Sequence, residues 1–195
     1  MNDLNRELFL ALNGSPTSPR IAVAVAIFAA KYLIVLVPLH LVLIWLGGDR
    51  KMRFVAVTAF LALLIAIGIN QAIGYVAFTP RPFVVGLGTQ LIEHRESSSL
   101  PSNHATIFFT YGAVLLLLSK RALGLAFGLL GLLVAWSRIY LGIHYPIDMG
   151  AAALTSLIAA LAATWLMARF GTPLLSRLEA IDERLFGFLG RRVRS

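Results

Sequence analysis

His144 and Asp148 lie four residues apart and share a short stretch with Arg138, between two segments that are otherwise almost wholly apolar. Ionisable groups at membrane depth are costly to hold and mark functional sites. An imidazole with a carboxylate four residues on has the makings of an oriented nucleophile or base, and the arginine six residues before it can fork onto a carboxylate or phosphate. The blander alternative is an ion pair between Arg138 and Asp148 at a helix end, with His144 merely packed. Two further clusters bear on the choice: Arg81-Pro82, and Pro101-Ser102-Asn103-His104. Two arginines and a helix N-terminus opened by Ser102 make a seat for a multiply charged anion, because backbone N–H groups and the helix dipole favour phosphate there. The two histidines can then divide the work. One attacks phosphorus, the other protonates the leaving oxygen, and Asp148 holds the attacking ring in one tautomer.

The elements that must position these residues are membrane helices. In 195 residues, 58% are hydrophobic and 13% charged, and the mean hydropathy is +0.82. That composition excludes an ordinary soluble domain. The net charge of +8 sits in short groups between apolar runs and at the C-terminus, which favours anionic lipid headgroups over nucleic acid as partner. There is no cysteine, which excludes disulfides and thiolate chemistry. No Asp/Glu/His cluster has metal-ligand spacing, so neither metal nor cofactor is expected.

Residues 2–12 place Leu4, Leu8 and Leu12 on one stripe away from Asp3, Arg6 and Glu7, as an interfacial helix does. Spanning segments are expected over about residues 21–45, 54–76, 104–119, 122–138 and 146–167. The first is too long, with flanks too polar, for a cleavable signal and reads as a retained span. Lys31 and His40 fall inside it and belong to no motif; snorkelling for the lysine and simple packing or hydrogen bonding for the histidine are the readings preferred. Trp45, Trp136 and Trp165 lie near span ends as belt residues. Gly124 and Gly128 permit close helix approach within the chain or between chains. Residues 174–189 form a second amphipathic, interfacial helix. The fold class expected is thus all-α: a single polytopic membrane bundle of about five spans over residues 1–195, with interfacial helices at both ends and the motifs within about 74–148. The one long polar connection, 80–103, carries Arg81, His94 and Arg95, and a loop of that length in a compact protein is usually functional.

Five spans separate the basic residues by side. Arg50, Lys51, Arg53, Lys120, Arg121, Arg169 and the C-terminal basic residues make eleven on one side, against Arg6, Arg20, Arg81, Arg95 and Arg138 on the other. The positive-inside rule makes the first side, with the C-terminus, cytoplasmic. The 80–103 connection and the 138–148 stretch then face outward together.

The order Arg-Pro, Pro-Ser-x-His, Ser-Arg-x5-His-x3-Asp resembles the three-part signature of the type 2 phosphatidic acid phosphatase superfamily. Within it, Phe83, Leu-Ile-Glu-His at 91–94, Leu-Pro-Ser-Asn-His-Ala-Thr at 100–106 and Ala-Trp-Ser-Arg-Ile-Tyr-Leu-Gly at 135–142 resemble bacterial undecaprenyl pyrophosphate phosphatases of the bacitracin-resistance type. The resemblance implies that His144 is the nucleophile, Asp148 its orienting partner and His104 the acid, with Arg81, Ser102 and Arg138 holding phosphoryl oxygens. It implies a metal-independent phosphatase of the bacterial inner membrane acting on a polyprenyl diphosphate at the outer face and returning carrier lipid to cell-wall synthesis. Two positions depart from the superfamily pattern. Gly74 stands where a lysine is usual, seven residues before Arg81, and Asn103 stands where glycine is common, which adds Asn103 to the phosphate-binding candidates. The lost cation calls for a substitute among His94 and Arg95, and arginine's fork favours Arg95. Two rival readings stay open: another lipid-phosphate reaction on the same scaffold, with phosphatidylglycerophosphate, phosphatidic acid or lipid A as substrate, and a small transporter. The gathering of charge at one face speaks against the transporter.

Overall fold

The structure, a computed structural model, describes residues 3–193, with side chains through residue 185. Its described residues form seven α-helices: α1 (Asp3–Leu12), α2 (Arg20–Lys31), α3 (Leu36–Gly47), α4 (Arg50–Val76), α5 (Asn103–Leu117), α6 (Arg121–Tyr140) and α7 (Pro146–Val193). Arg20–Gly47, α4, α6 and α7 are each long and apolar enough to cross a membrane. This is a polytopic membrane bundle.

Its core is the packing of α4, α5, α6 and α7 on one another. Ala56, Ala59 and Ala62 of α4 and Ala160 and Ala163 of α7 are buried against Phe108, Tyr111 and Leu115 of α5. Small side chains let backbones approach where lipid supplies no hydrophobic drive between helices. The same logic seats α5 on α6: a Cβ at Gly112 would lie 3.1 Å from Gly124 O and Gly128 N. The glycines of α6 are therefore used within the chain. α5 has fifteen residues, about 22 Å of helix against a hydrocarbon layer of about 30 Å. It is thus shorter than that layer is thick, and Lys120 and Arg121 follow its far end at once.

Two elements differ from the sequence expectation. The first span is not one helix: α2 ends at Lys31, a 3₁₀ turn covers Leu33–Val35, and α3 resumes at Leu36. Pro38 explains the break, since its ring would crowd the carbonyl of Ile34 and it has no N–H to donate there. Lys31 is exposed at this break, and His40 Nδ1 lies 2.5 Å from the Tyr111 hydroxyl. Nor is the C-terminal amphipathic segment a separate helix: α7 runs for 48 residues through Pro173. Packing holds it straight on, because Gly171 abuts Phe54 and Leu175 is buried. Polar ties to the α3–α4 end follow: Arg50 donates to Ser176 Oγ (2.8 Å), Trp45 Nε1 donates to Asp182 (3.2 Å), and Arg50 lies 3.5 Å from Glu179. Phe188 and the basic residues 191–194 lie outside the described side chains.

Candidate active site

The C-terminal ends of α4 and α6 and the N-terminal ends of α5 and α7 meet at one face of the bundle. Between them lies a cavity of about 790 Å³, lined by Arg81, His94, Arg95, Asn103, His104, Arg138 and His144 and, from α4, by Asn70, Gln71 and Gly74. Every candidate from the sequence lines it except Ser102 and Asp148, which stand directly behind.

His144 is held from both sides. Pro146 opens α7, a position where its missing N–H costs nothing. Asp148, two residues on, reaches back to the backbone N–H of Tyr145 (2.9 Å) as the acid of a capping box does. The same oxygen accepts from His144 Nδ1 (3.0 Å) and from the Ser99 hydroxyl (2.5 Å). With Nδ1 donating, Nε2 carries the lone pair, and Arg81 Nη1 donates to it at 3.0 Å. Burial pushes the His144 imidazole down to about 4, and the hydrogen bond and charge of Asp148 only partly oppose this. The ring is therefore neutral at physiological pH, and its contact with Asp148 is an N–H···O bond to a carboxylate, not an ion pair. Arg138 makes no salt bridge with Asp148 among the described residues, which removes the blander alternative.

The two arginines differ in what they are free to do. Arg81 is 5% exposed and donates to Ser97 O, Ser97 Oγ, Ser98 O and Ile143 O as well as to His144. It staples the polar connection over the α7 start. Burial lowers its guanidinium to about 10, which leaves it charged. Arg138, 4% exposed, donates from Nη2 to His94 Nε2 (3.0 Å), and its buried Nε has no partner among the described residues. Ser102 stands at the N-cap of α5, yet its side chain makes no cap hydrogen bond and its buried hydroxyl has no partner among the described residues. Both are buried donors with hydrogen-bonding capacity left over, Arg138 in the cavity wall and Ser102 directly behind it. Ser137, by contrast, spends its hydroxyl on Val134 O. Asn103 accepts from Asn70 Nδ2 (2.9 Å), which also donates to Thr106 Oγ1. Arg95 lines the cavity with an exposed side chain.

Sequence reasoning missed Ser99, Asn70, Asn13 and Asn5. Ser99 is fully buried but stands in a run of three serines that marks none of them. Asn70 had a signal, as a lone amide deep in an apolar span. Asn13 ties the polar connection to α6 by accepting from Thr89 N (2.7 Å) and donating to Thr89 O and Tyr140 O (3.0 Å each). Asn5 of α1 accepts from the N–H of Ile147 at 3.0 Å and so braces the first turn of α7.

A membrane bundle that gathers a neutral, carboxylate-oriented imidazole, a second histidine, two guanidinium groups and the start of a helix around one cavity defines an integral-membrane enzyme built to work on a phosphoryl group. The chain belongs to the PAP2 superfamily, which it matches over residues 55–172. It is 34% identical over 167 residues to the undecaprenyl-diphosphatase BcrC of Bacillus subtilis, covering 86% of this chain and 84% of that one. It is 33% identical over 180 residues to YbjG of Escherichia coli, covering 92% and 91%. Among solved structures, LpxE of Aquifex aeolicus superposes with a TM-score of 0.67 at 25% identity, over 83% of this chain and 94% of that one.

Proposed function

We propose that this protein hydrolyses the terminal phosphate of undecaprenyl diphosphate at the outer face of a bacterial inner membrane. The name of the Bacillus subtilis relative supports the substrate, and the observation that carries the mechanism is the fixed tautomer of His144. Its Nε2 lone pair attacks the terminal phosphorus while the bond from phosphorus to the bridging oxygen breaks. The lipid monophosphate leaves, taking a proton from His104 as needed, and Asp148 stabilises the positive charge on the phosphorylated ring. His104 then takes a proton from water, whose oxygen attacks the phosphohistidine; inorganic phosphate leaves and the ring regains its lone pair. Arg138, Ser102 and the α5 N-terminus hold the charge that grows on the phosphoryl oxygens. Arg81 joins them when the substrate draws Nη1 off His144.

A lipid phosphate is a weakly basic leaving group, so the first step needs its acid less than the second needs its base. Purified His144→Ala should therefore release no phosphate from undecaprenyl diphosphate, while His104→Ala should accumulate acid-labile label on His144 when given substrate labelled in the terminal phosphate. The assay is phosphate release on a panel of undecaprenyl, farnesyl and glycerolipid phosphates. Near wild-type turnover by inserted His144→Ala would remove the nucleophile assignment, and a preference for glycerolipid monophosphates would remove the substrate.

A further inference from the structure

Gly74 leaves the cavity one cation short for a substrate that carries an extra phosphate. A Cβ there would lie 3.4 Å from Ser98 Cβ and 3.7 Å from Leu100 O, so Ser98 and Leu100 close the wall at the position where a lysine is usual. Among the groups that could make up the charge, Arg95 is exposed and its side chain forms no hydrogen bond among the described residues, whereas His94 already touches the machinery. Its Nδ1 lies 3.0 Å from Arg95 O and its Nε2 3.0 Å from Arg138 Nη2. A carbonyl can only accept and a guanidinium can only donate. The ring is therefore neutral, with its proton on Nδ1, and it occupies a donor that a phosphoryl oxygen needs.

Substrate entry reverses both conditions. The diphosphate takes the Arg138 donor, which frees Nε2, and its negative charge favours a protonated ring in place of a neutral one. The groups facing His94 are Arg81 and Arg95 from the same connection, Arg138 from α6 and His104 from α5, and Glu93 and Glu96 beside it are exposed. The groups lining this part of the cavity are thus mainly cationic; burial first and then these arginines hold the His94 imidazole below its ordinary value. His104 lines the same cavity, and in the proposed mechanism it protonates the departing lipid-linked phosphate. We propose that His94 is a proton-taking latch, which parks on Arg138 in the empty site and turns as an imidazolium onto the lipid-linked phosphate of a diphosphate, thereby selecting diphosphate over monophosphate lipids. This rests on the reading of the cavity as a diphosphate seat.

The test compares wild type, His94→Gln and His94→Lys on farnesyl diphosphate and farnesyl phosphate at neutral pH. Glutamine can keep the contact with Arg138 but cannot become a cation. It should lower kcat/KM about thirtyfold on the diphosphate and less than about threefold on the monophosphate, and lysine should recover most of the loss. Calorimetric titration with farnesyl methylenediphosphonate, in buffers of different ionisation enthalpy, should show wild type taking up more protons than His94→Gln, by up to about one per ligand. Equal loss on both substrates, no loss on either, or an unchanged proton count would overturn the latch. Wild type that turns over only the monophosphate would instead overturn the diphosphatase reading, so the two failures are distinct.

Discussion

Asp148 Oδ2 accepts three hydrogen bonds, and the one from Ser99 sets how strongly the carboxylate pulls on His144. A hydroxyl that donates to a carboxylate lowers its basicity, so without Ser99 the carboxylate draws harder on the imidazole and favours its protonated form. Burial holds the imidazole down to about 4, and protonation would remove the lone pair to which the proposed mechanism assigns the attack. The rate should therefore fall as pH falls through that value. Ser99→Ala should raise the acid limb of kcat/KM, corrected for substrate ionisation, and lower the plateau about tenfold through a less well held ring. Ser99→Thr should restore both. A lowered plateau with an unmoved limb would make Ser99 a packing residue only. Much of this site was legible because its chemistry obeys short spacings: an imidazole and a carboxylate four apart across a helix start, and a serine two before a histidine at another. Ser99 was not, since it reaches Asp148 across 49 positions of sequence, and no local pattern encodes a contact made by folding.

The helices were legible from their apolar runs, and their ends from charged and glycine-rich breaks. Where the reading failed, proline was the cause in opposite senses. Pro38 near the start of a helix interrupts its span, while Pro173 within a longer helix does not, because tertiary contacts on either side of Pro173 outweigh one missing hydrogen bond. The polar connection was legible as a loop but not as a fixed one. Its firmness comes from Asn13 after α1, whose amide joins Thr89 to Tyr140 at the end of α6, and from Gly142. Gly142 has φ +78°, and a Cβ there would collide with the Thr89 carbonyl. Asn13→Ala deletes three hydrogen bonds of about 1 kcal/mol each, and should lower Tm in detergent by roughly 6 °C or more. It should also raise KM, since His94 and Arg95 ride on the loosened connection. Gly68→Ala, where nothing lies within 4 Å of the new Cβ, is the control and should leave both unchanged. If Asn13→Ala leaves Tm and KM at wild-type values, the connection is held from elsewhere.

At the scale of the whole molecule the two ends of the bundle are chemically unlike. One end carries the cavity, walled in part by the start of α5, and the isoprenoid tail of the proposed substrate can remain among lipid chains while its phosphates enter there. The other end carries Arg50, Lys51, Arg53, Lys120 and Arg121, with the polar face of the α7 extension folded against them through Ser176, Glu179 and Asp182. Lysine and arginine are retained on the cytoplasmic side during insertion, and eleven of them fall at this end or on the C-terminal segment beyond it. On the proposed orientation the cavity opens outward, where a carrier lipid that has delivered its cargo would carry its diphosphate. The chain has no cysteine, so single cysteines report sidedness without background. Glu96 and Arg121 are both exposed and lie at opposite ends. In intact cells, Glu96→Cys should react with an impermeant maleimide and Arg121→Cys only after permeabilisation. Labelling of Arg121→Cys alone would turn the bundle over and place the cavity in the cytoplasm, where it would meet newly made lipid diphosphate instead of spent carrier.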